Sequence, residues 1–283
     1  MRLEHGVMIF LGILIGSLIA LEGELPTVKN LVLTFFTALF LEASTFALND
    51  YYDLDIDKKN KRTDRPLVRG DLTPKTALLL FFIFFPLGII CSFFVNLTCF
   101  IIALITAIFA ILYDVKMKKI KLIGNFYIAY VMAIPFIFGG AASIEGNTLN
   151  IKIEPATYVI ALIAFLAGSG REIMKDVQDF EGDKKSGVKS FPKYIGIRKS
   201  NIIAGLFFVV AIVFSFLPFT LSRFGVYYQN INYLSIVMVT DIMLLTTAFH
   251  LIFKKKTHLK LYRSFTLLAI FIGLLAFLVG AFI

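Results

Sequence analysis

The sequence contains no tryptophan, only two cysteines and three histidines in 283 residues, and only 17% of its residues are charged. Cys91 and Cys99 do not form a CxxC pair and the histidines are scattered, so no spacing typical of a zinc site is present. Without tryptophan, an interfacial aromatic belt would consist of tyrosine and phenylalanine. No polar stretch is long enough for a soluble domain, which argues against nucleic-acid binding.

Hydrophobic residues are abundant instead, at 58% of the chain with a mean hydropathy of +0.84. They form nine runs of the length that crosses a bilayer, at residues 6–22, 30–48, 76–95, 97–113, 122–143, 155–172, 200–219, 231–252 and 265–283. Because lipid offers no hydrogen bonds to the backbone, such runs must be helical. The sequence therefore predicts an all-α polytopic membrane protein with nine transmembrane helices in a single domain, residues 1–283. The first run lacks a small-residue cleavage site, so we expect a retained helix rather than a signal peptide.

The basic residues are distributed unevenly over the connections between these runs. Of the 28 lysines and arginines, 25 lie at the N-terminus or in the connections 49–75, 113–121, 171–200 and 253–264. Nine helices place all of these segments on one side of the membrane. The positive-inside rule makes that side cytoplasmic, so we expect a cell-membrane protein with a cytoplasmic N-terminus and an external C-terminus.

Two acidic motifs lie at the ends of the second and sixth runs, on the predicted cytoplasmic side. The stretch "NDYYDLDID" contains Asp50, Asp53 and Asp57, and "DVQDFEGD" contains Asp176, Asp179 and Asp183. Both follow the pattern D-x-x-D-x-x-x-D, and each aspartate of the first motif is separated from its counterpart by 126 residues. A pair of lysines follows both motifs. This pattern indicates a parallel internal repeat.

The spacing of the aspartates suggests metal chemistry. Positions i, i+3 and i+7 share one face of a helix, so three carboxylates would line one stripe if each helix continues past its apolar run. One such cluster is compatible with a solvated loop, but two copies in register favour a shared divalent cation. Oxygen ligands favour Mg²⁺ or Ca²⁺, and the glycine and glutamate of an EF-hand loop are missing.

Basic residues surround both motifs, among them Arg65 after the first and Arg171 and Lys175 before the second. Carboxylates and cations in one cavity are typical of a metal-bound phosphate, whose remaining charge is taken by arginine and lysine. The rest of the bundle is rich in phenylalanine, with 31 residues. We therefore expect a substrate with a diphosphate head and a long apolar tail, which describes a prenyl diphosphate.

On these residues the chain resembles the UbiA-type intramembrane prenyltransferases over its whole length. Both aspartate motifs match the family's signatures, "RPL" at residues 65–67 matches its Arg-Pro pair, and "LYDVKMKK" matches the connection with Tyr113 and Lys118. The segment "GREIMKDVQDFEGDKKSG" is most similar to the branch that makes archaeal ether lipids.

The resemblance implies a magnesium-dependent transfer of a geranylgeranyl group from its diphosphate to geranylgeranylglyceryl phosphate. The implied metal ligands are Asp50, Asp53, Asp57, Asp176, Asp179 and Asp183, of which Asp50, Asp53, Asp176 and Asp179 are the implied catalytic residues. The implied substrate-binding residues are Asn49, Arg65, Tyr113, Lys118, Arg171 and Lys175. The extra acid Asp55 lies off the main stripe, and we expect it to be dispensable.

Other functions stay open at the level of sequence. An aromatic acceptor such as 4-hydroxybenzoate would place the chain in the quinone branch of the family. A cation transporter could also use paired acidic motifs, although its site usually lies near the middle of the membrane. A CDP-alcohol phosphotransferase would need a glycine and an Ala-Arg pair that "DYYDLDIDKKNKR" lacks. We expect membrane lipids around the protein, no nucleic-acid partner and no obligate protein partner.

Overall fold

The computed structural model of the protein describes residues 3–59, 61–144, 146, 149, 152–185, 187–254 and 258–282. Nine long helices follow one another: α1 (Leu3–Ala20), α2 (Val28–Lys59), α3 (Pro74–Val95), α4 (Leu97–Val115), α5 (Lys121–Ala142), α6 (Pro155–Lys185), α7 (Ile197–Ser215), α8 (Ile231–Phe253) and α9 (Leu259–Phe282). Eight are long and apolar enough to cross a membrane, and the apolar part of α1 is shorter. The prediction of an all-α, multi-pass membrane protein is confirmed.

Helices α2 and α6 are much longer than their apolar runs. They contain 32 and 31 residues, and both continue through the acidic motifs to the lysine pairs that follow. The motifs are therefore helical, and their carboxylates lie on one stripe as the spacing predicts. We call the end of the bundle that carries the motifs the motif face.

The helices surround a central space. Helix α2 packs against α3, α5 against α6, α6 against α7, and α8 against α9, while α1 contacts α5 and α9. The backbones of α1 and α5 approach so closely that a Cβ atom at Gly16 would lie 2.0 Å from the carbonyl oxygen of Phe136. Glycine is therefore required for this crossing, which closes one side of the central space.

The internal repeat extends beyond the aspartates. Each motif is followed by a short helix with proline in its first turn, Pro66–Arg69 in the first half and Phe191–Ile195 in the second. Gly70 and Gly196 end these helices at φ 85° and 82°, a conformation that favours glycine. Both glycines and both prolines keep the separation of 126 residues. The repeat is thus structural, and it gives the two motifs the same backbone frame.

Candidate active site

The first motif is organised around Arg65. Its guanidinium Nη1 donates a hydrogen bond of 2.7 Å to Asp50 Oδ1, and its Nε lies 3.5 Å from Asp57 Oδ2. Asp50 and Asp57 are two turns apart on α2, so one arginine from the following segment bridges the first and third carboxylates. These side chains are at most 20% exposed, so water screens the ion pairs less than it would at an open surface.

The middle carboxylate of the first motif contacts the connection between α4 and α5. Lys118 Nζ lies 2.6 Å from Asp53 Oδ2 and 3.9 Å from Asp114 Oδ1. The side-chain amide of Asn49 donates a hydrogen bond of 2.7 Å to the same Asp114 oxygen. The buried Asp114 therefore links Asn49 and Lys118 and holds both against the motif.

The second motif receives its cation from a different element. Lys121, the first residue of α5, lies 2.7 Å from Asp183 Oδ2 and 3.5 Å from Asp176 Oδ1. Asp176 is almost fully buried and also accepts hydrogen bonds from the Asn125 side chain and the backbone N–H of Phe191, at 2.8 and 3.4 Å. The first and third carboxylates of this motif are thus bridged, as they are in the first motif.

Asp179, the middle carboxylate of the second motif, is exposed in this structure. It differs in this from Asp53, whose side chain is only 15% exposed. Asp55, which the spacing places off the stripe, is exposed as well. Nearby, Arg62 donates two hydrogen bonds of 2.8 Å to Asp64. These bonds lower the pKa of Asp64 below its ordinary value and occupy Arg62 at the surface.

A cavity of about 900 Å³ leads from the motif face into the bundle. Asn49 and Asp114 line it, as does Tyr113, whose ring stacks on Tyr127 at a centroid distance of 4.8 Å. Deeper in the bundle the walls are mainly apolar side chains of α1, α4, α5, α6 and α9. A pocket with polar groups at one end and a long apolar interior is suited to a ligand with a polar head and a hydrocarbon tail.

A second group of cations borders the same cavity. It consists of Arg171 and Lys175 on α6 and of Lys260 and Arg263 on α9. Buried Glu172 lies among them, 2.7 Å from Lys175 Nζ and 3.5 Å from Arg171 Nη1. The Nε atom of Arg171 is buried without a hydrogen-bond partner among the described residues. Among the described residues, Glu172 is the one carboxylate shown to pair with Arg171 and Lys175, so the group has positive charge left for an anion.

The donor chemistry of the motifs fits a magnesium ion, since all six aspartates offer hard oxygen ligands. Among the described residues, however, no three acidic, histidine or cysteine side chains are gathered at the spacing of a metal site. The carboxylates are not gathered around a metal because each motif is paired with cations instead. These cations are Arg65, Lys118 and Lys121. A metal would be held by carboxylates that these cations release, together with phosphate oxygens.

The structure brings together most of the predicted site residues in three places. Six of them have contacts at the first motif: Asn49, Asp50, Asp53, Asp57, Arg65 and Lys118. Asp176 and Asp183 share Lys121 at the second motif, and Tyr113, Arg171 and Lys175 border the cavity. Sequence reasoning missed Asp114, Lys121, Asn125, Lys260 and Arg263. Only two of these residues lay in or beside a segment that already pointed to the site: Asp114 is inside the quoted "LYDVKMKK", and Lys121 is the second residue after it.

Comparisons with known proteins place the chain in a family. Residues 9–275 match the model of the UbiA prenyltransferase family. Among curated proteins, the digeranylgeranylglyceryl phosphate synthase of Archaeoglobus fulgidus is 40% identical over 284 aligned positions, covering 100% of this chain and 94% of the relative. The enzyme of that name from Methanocaldococcus jannaschii is 37% identical, with 99% and 94% covered.

Solved structures share the fold. A structure of digeranylgeranylglyceryl phosphate synthase is 36% identical and superimposes with a TM-score of 0.81, covering 99% of this chain and 95% of that one. A UbiA homologue from Aeropyrum pernix, at 17% identity, gives a TM-score of 0.75 with 95% and 96% covered. Another UbiA homologue, from A. fulgidus, bound to DMAPP and Mg²⁺, gives 0.62 at 19% identity with 96% of each chain covered. The chain therefore belongs to the UbiA prenyltransferase family.

Proposed function

We propose that this prenyltransferase transfers a geranylgeranyl group from geranylgeranyl diphosphate to the free hydroxyl of geranylgeranylglyceryl phosphate. The observation that carries the proposal is one cavity bordered by two polar regions, Asn49 and Asp114 beside the first motif and the Arg171 group. This arrangement provides one anion site for a donor diphosphate and another for an acceptor phosphate. The relatives of 40% and 37% identity carry the name of the enzyme that performs this reaction.

The aspartate motifs would bind the donor diphosphate through Mg²⁺, as the donor set allows. Asp50, Asp53 and Asp57 in one half, and Asp176, Asp179 and Asp183 in the other, are the residues that would hold the metal. When bound, Mg²⁺ supplies positive charge that stabilises a departing diphosphate. A UbiA homologue of low identity has been solved with DMAPP and Mg²⁺, which supports this assignment.

The cations that pair with the motifs have a second role in this scheme. With Mg²⁺ held by the carboxylates, Arg65, Lys118 and Lys121 would be free to pair with the diphosphate and would stabilise its growing charge. The side chain of Asn49, held by Asp114 at 2.7 Å, orients a carboxylate or a phosphate oxygen. The protein therefore exchanges ion pairs within the site rather than leaving buried charges unpaired, which would be costly.

The apolar part of the cavity serves the reacting carbon and the two hydrocarbon tails. The stacked rings of Tyr113 and Tyr127 present aromatic surface near the motif end of the cavity, where they can stabilise positive charge on the allylic carbon. The apolar walls exclude water, which would otherwise capture that carbon as an alcohol. A volume of about 900 Å³ is at the upper end of ordinary ligand pockets, as expected for long-chain substrates.

The acceptor phosphate would bind to the Arg171 group. Arg171 and Lys175 are separated by one helical turn, and Lys260 and Arg263 approach from α9. A dianionic phosphate needs several donors, whereas the carboxylate of 4-hydroxybenzoate needs one. The surplus of cations, together with the buried unbonded Nε of Arg171, supports a phosphate rather than an aromatic acid.

The test is product analysis with purified protein, Mg²⁺ and geranylgeranyl diphosphate. Geranylgeranylglyceryl phosphate and 4-hydroxybenzoate are offered singly and together, and the products are identified by mass spectrometry. We expect the diether phosphate and no prenylated hydroxybenzoate. Prenylated hydroxybenzoate as the main product, with no ether formed, would move the protein to the quinone branch of the family.

The motif face is proposed to be cytoplasmic, with the N-terminus on the same side and the C-terminus external. The connections on this face carry most of the basic residues of the chain.

A further inference from the structure

Four carboxylates line the cavity: those of Glu42, Asp114, Glu172 and Asp241. Three of them have a partner in the structure. Asp114 accepts a hydrogen bond from Asn49, Glu172 pairs with Lys175, and Asp241 accepts a hydrogen bond of 2.7 Å from Ser215. The fourth, Glu42, is different: neither of its oxygens has a hydrogen-bond partner among the described residues.

The neighbouring residues on α2 do not explain why the Glu42 carboxylate lacks a hydrogen-bond partner. The residue is only 7% exposed, and the hydroxyl of Thr45 one turn away donates to the Glu42 backbone carbonyl rather than to its carboxylate. The hydroxyl of Thr37 likewise bonds to a carbonyl, that of Leu33. A buried acid in a membrane helix is costly when it is not hydrogen-bonded, and such residues usually have a functional partner. The missing partner is therefore expected to be a ligand in the cavity.

The internal repeat defines the position of Glu42 relative to the proposed phosphate site. Helices α2 and α6 carry their motifs in the same register, so Arg171 corresponds to Thr45 at the separation of 126 residues. Glu42 precedes Thr45 by three residues, which places it about 4.5 Å further from the motif face along the helix axis. It also precedes Asp50 by about 12 Å along α2. Glu42 thus lies one turn beyond the level of the phosphate-binding cations, on the apolar side.

This offset matches the chemistry of the acceptor. In a glycerol phosphate monoether, the free hydroxyl is on the carbon next to the one that carries the phosphate. A phosphate held at the level of Arg171 therefore places the hydroxyl a few ångströms deeper, toward Glu42. Resting on the function proposed above, we propose that Glu42 hydrogen-bonds the acceptor hydroxyl and accepts its proton during transfer.

The step balances without any further reactant. The bond between the allylic carbon and the diphosphate oxygen breaks, and its electron pair leaves with the diphosphate. A lone pair of the acceptor oxygen forms the new carbon–oxygen bond, the O–H bond breaks, and the proton moves to the Glu42 carboxylate. The proton is later released to water as the products leave. The carboxylate must be ionised when the acceptor binds, as a general base requires.

The experiment compares Glu42→Gln, which keeps the shape of the side chain but removes the base, with Glu42→Asp and the wild type. Ether formation from geranylgeranyl diphosphate and geranylgeranylglyceryl phosphate is measured at saturating substrate, and the slow release of geranylgeraniol is measured without acceptor. We expect Glu42→Gln to lower kcat for the ether by roughly 10²-fold, within the range for a lost general base. We also expect it to retain the hydrolysis of the donor and the donor KM, and Glu42→Asp to recover part of the loss.

The matched control is Asp241→Asn, which changes another buried acid of the same cavity but one that already has Ser215 as a partner. It should keep the ether rate within a few-fold of the wild type. An unchanged kcat in Glu42→Gln would overturn the role of Glu42 and leave the departing diphosphate as the proton acceptor. A rise in acceptor KM without a fall in kcat would make Glu42 a binding group and not a base. The absence of ether from the wild type itself would instead refute the proposed function.

Discussion

Arg65 and Phe191 hold the same place in the two halves of the protein, and each contacts the first aspartate of its motif. The Arg65 guanidinium lies 2.7 Å from Asp50, and the backbone N–H of Phe191 lies 3.4 Å from Asp176. The halves are therefore alike in backbone but not in charge. In the second half the bridging cation is Lys121, which comes from α5. The repeat supplies the frame for two carboxylate stripes, and different elements supply the charges that balance them.

The first prediction concerns Lys121 and stability. Lys121→Ala leaves the carboxylates of Asp176 and Asp183 without their cation, and the loss of a partner to buried polar groups costs about 1–3 kcal/mol. We expect a lower thermal midpoint in detergent containing EDTA. Because the proposed Mg²⁺ site uses the same carboxylates, adding Mg²⁺ should raise the midpoint more in this variant than in the wild type.

The control for this measurement is Lys116→Ala, an exposed lysine of the same connection. Its midpoint and its response to Mg²⁺ should equal those of the wild type. If Mg²⁺ raises the midpoints of Lys121→Ala and the wild type equally, the metal does not use the carboxylates that Lys121 holds.

The second prediction concerns the need for both motifs. Asp53→Asn and Asp179→Asn should each lower the turnover rate by roughly 10²–10³-fold, because each removes charge from the carboxylates proposed to bind the diphosphate through Mg²⁺. Asp179 is exposed, so its substitution should not unfold the protein. EDTA should abolish turnover, and added Mg²⁺ should restore it.

Asp55→Asn is the matched control, since Asp55 is an exposed acid on the same helix as Asp53. It should keep most of the activity. Full activity in Asp179→Asn would show that the second motif does not share the metal with the first. Turnover in excess EDTA would remove the metal from the scheme altogether.

The third prediction concerns the acceptor phosphate. Arg171→Ala and Arg263→Ala should each raise the KM for geranylgeranylglyceryl phosphate by at least tenfold, because charge-assisted hydrogen bonds contribute about 1.5–3 kcal/mol. The KM for geranylgeranyl diphosphate should change much less. Initial-rate kinetics with one substrate saturating and the other varied will separate the two constants.

Lys199→Ala serves as the control for charge alone, since Lys199 is an exposed basic residue on the same face. It should leave both KM values unchanged. A larger increase of the donor KM than of the acceptor KM in Arg171→Ala would assign this cation group to the diphosphate.

The fourth prediction concerns orientation in the membrane. In a variant with Cys91 and Cys99 replaced by alanine, a cysteine at Thr63 or Lys189 marks the motif face, and one at Glu24 marks the opposite face. All three positions are exposed. An impermeant thiol reagent should label the first two in inside-out vesicles only, and the third in right-side-out vesicles only. Labelling of Thr63→Cys and Lys189→Cys from opposite sides would contradict the parallel repeat.

The sequence determined the membrane class, the nine helices and the two acidic stripes. These features depend on local patterns: runs of apolar residues that must be helical in lipid, and the i, i+3, i+7 spacing that puts Asp50, Asp53 and Asp57 on one face. The stripe was conditional on α2 continuing past its apolar run, and the structure meets that condition because the helix extends to Lys59. The repeat could be recognised for the same reason, because the equal spacing of the aspartates in the two motifs is read from the sequence without knowing how the helices pack.

Only the tertiary structure decided which charges meet. Lys121 and Asp183 are 62 residues apart, and no local pattern indicates that the start of α5 lies against the end of α6. The same holds for Asn49 and Asp114, and for Lys260 and Arg263 at the mouth of the cavity. A lysine or arginine on this face fits the positive-inside rule wherever it lies. The sequence alone therefore does not distinguish a basic residue that only sets the topology from one that binds a substrate. The distinction depends on distance and burial, which arise from the packing of helices remote in sequence.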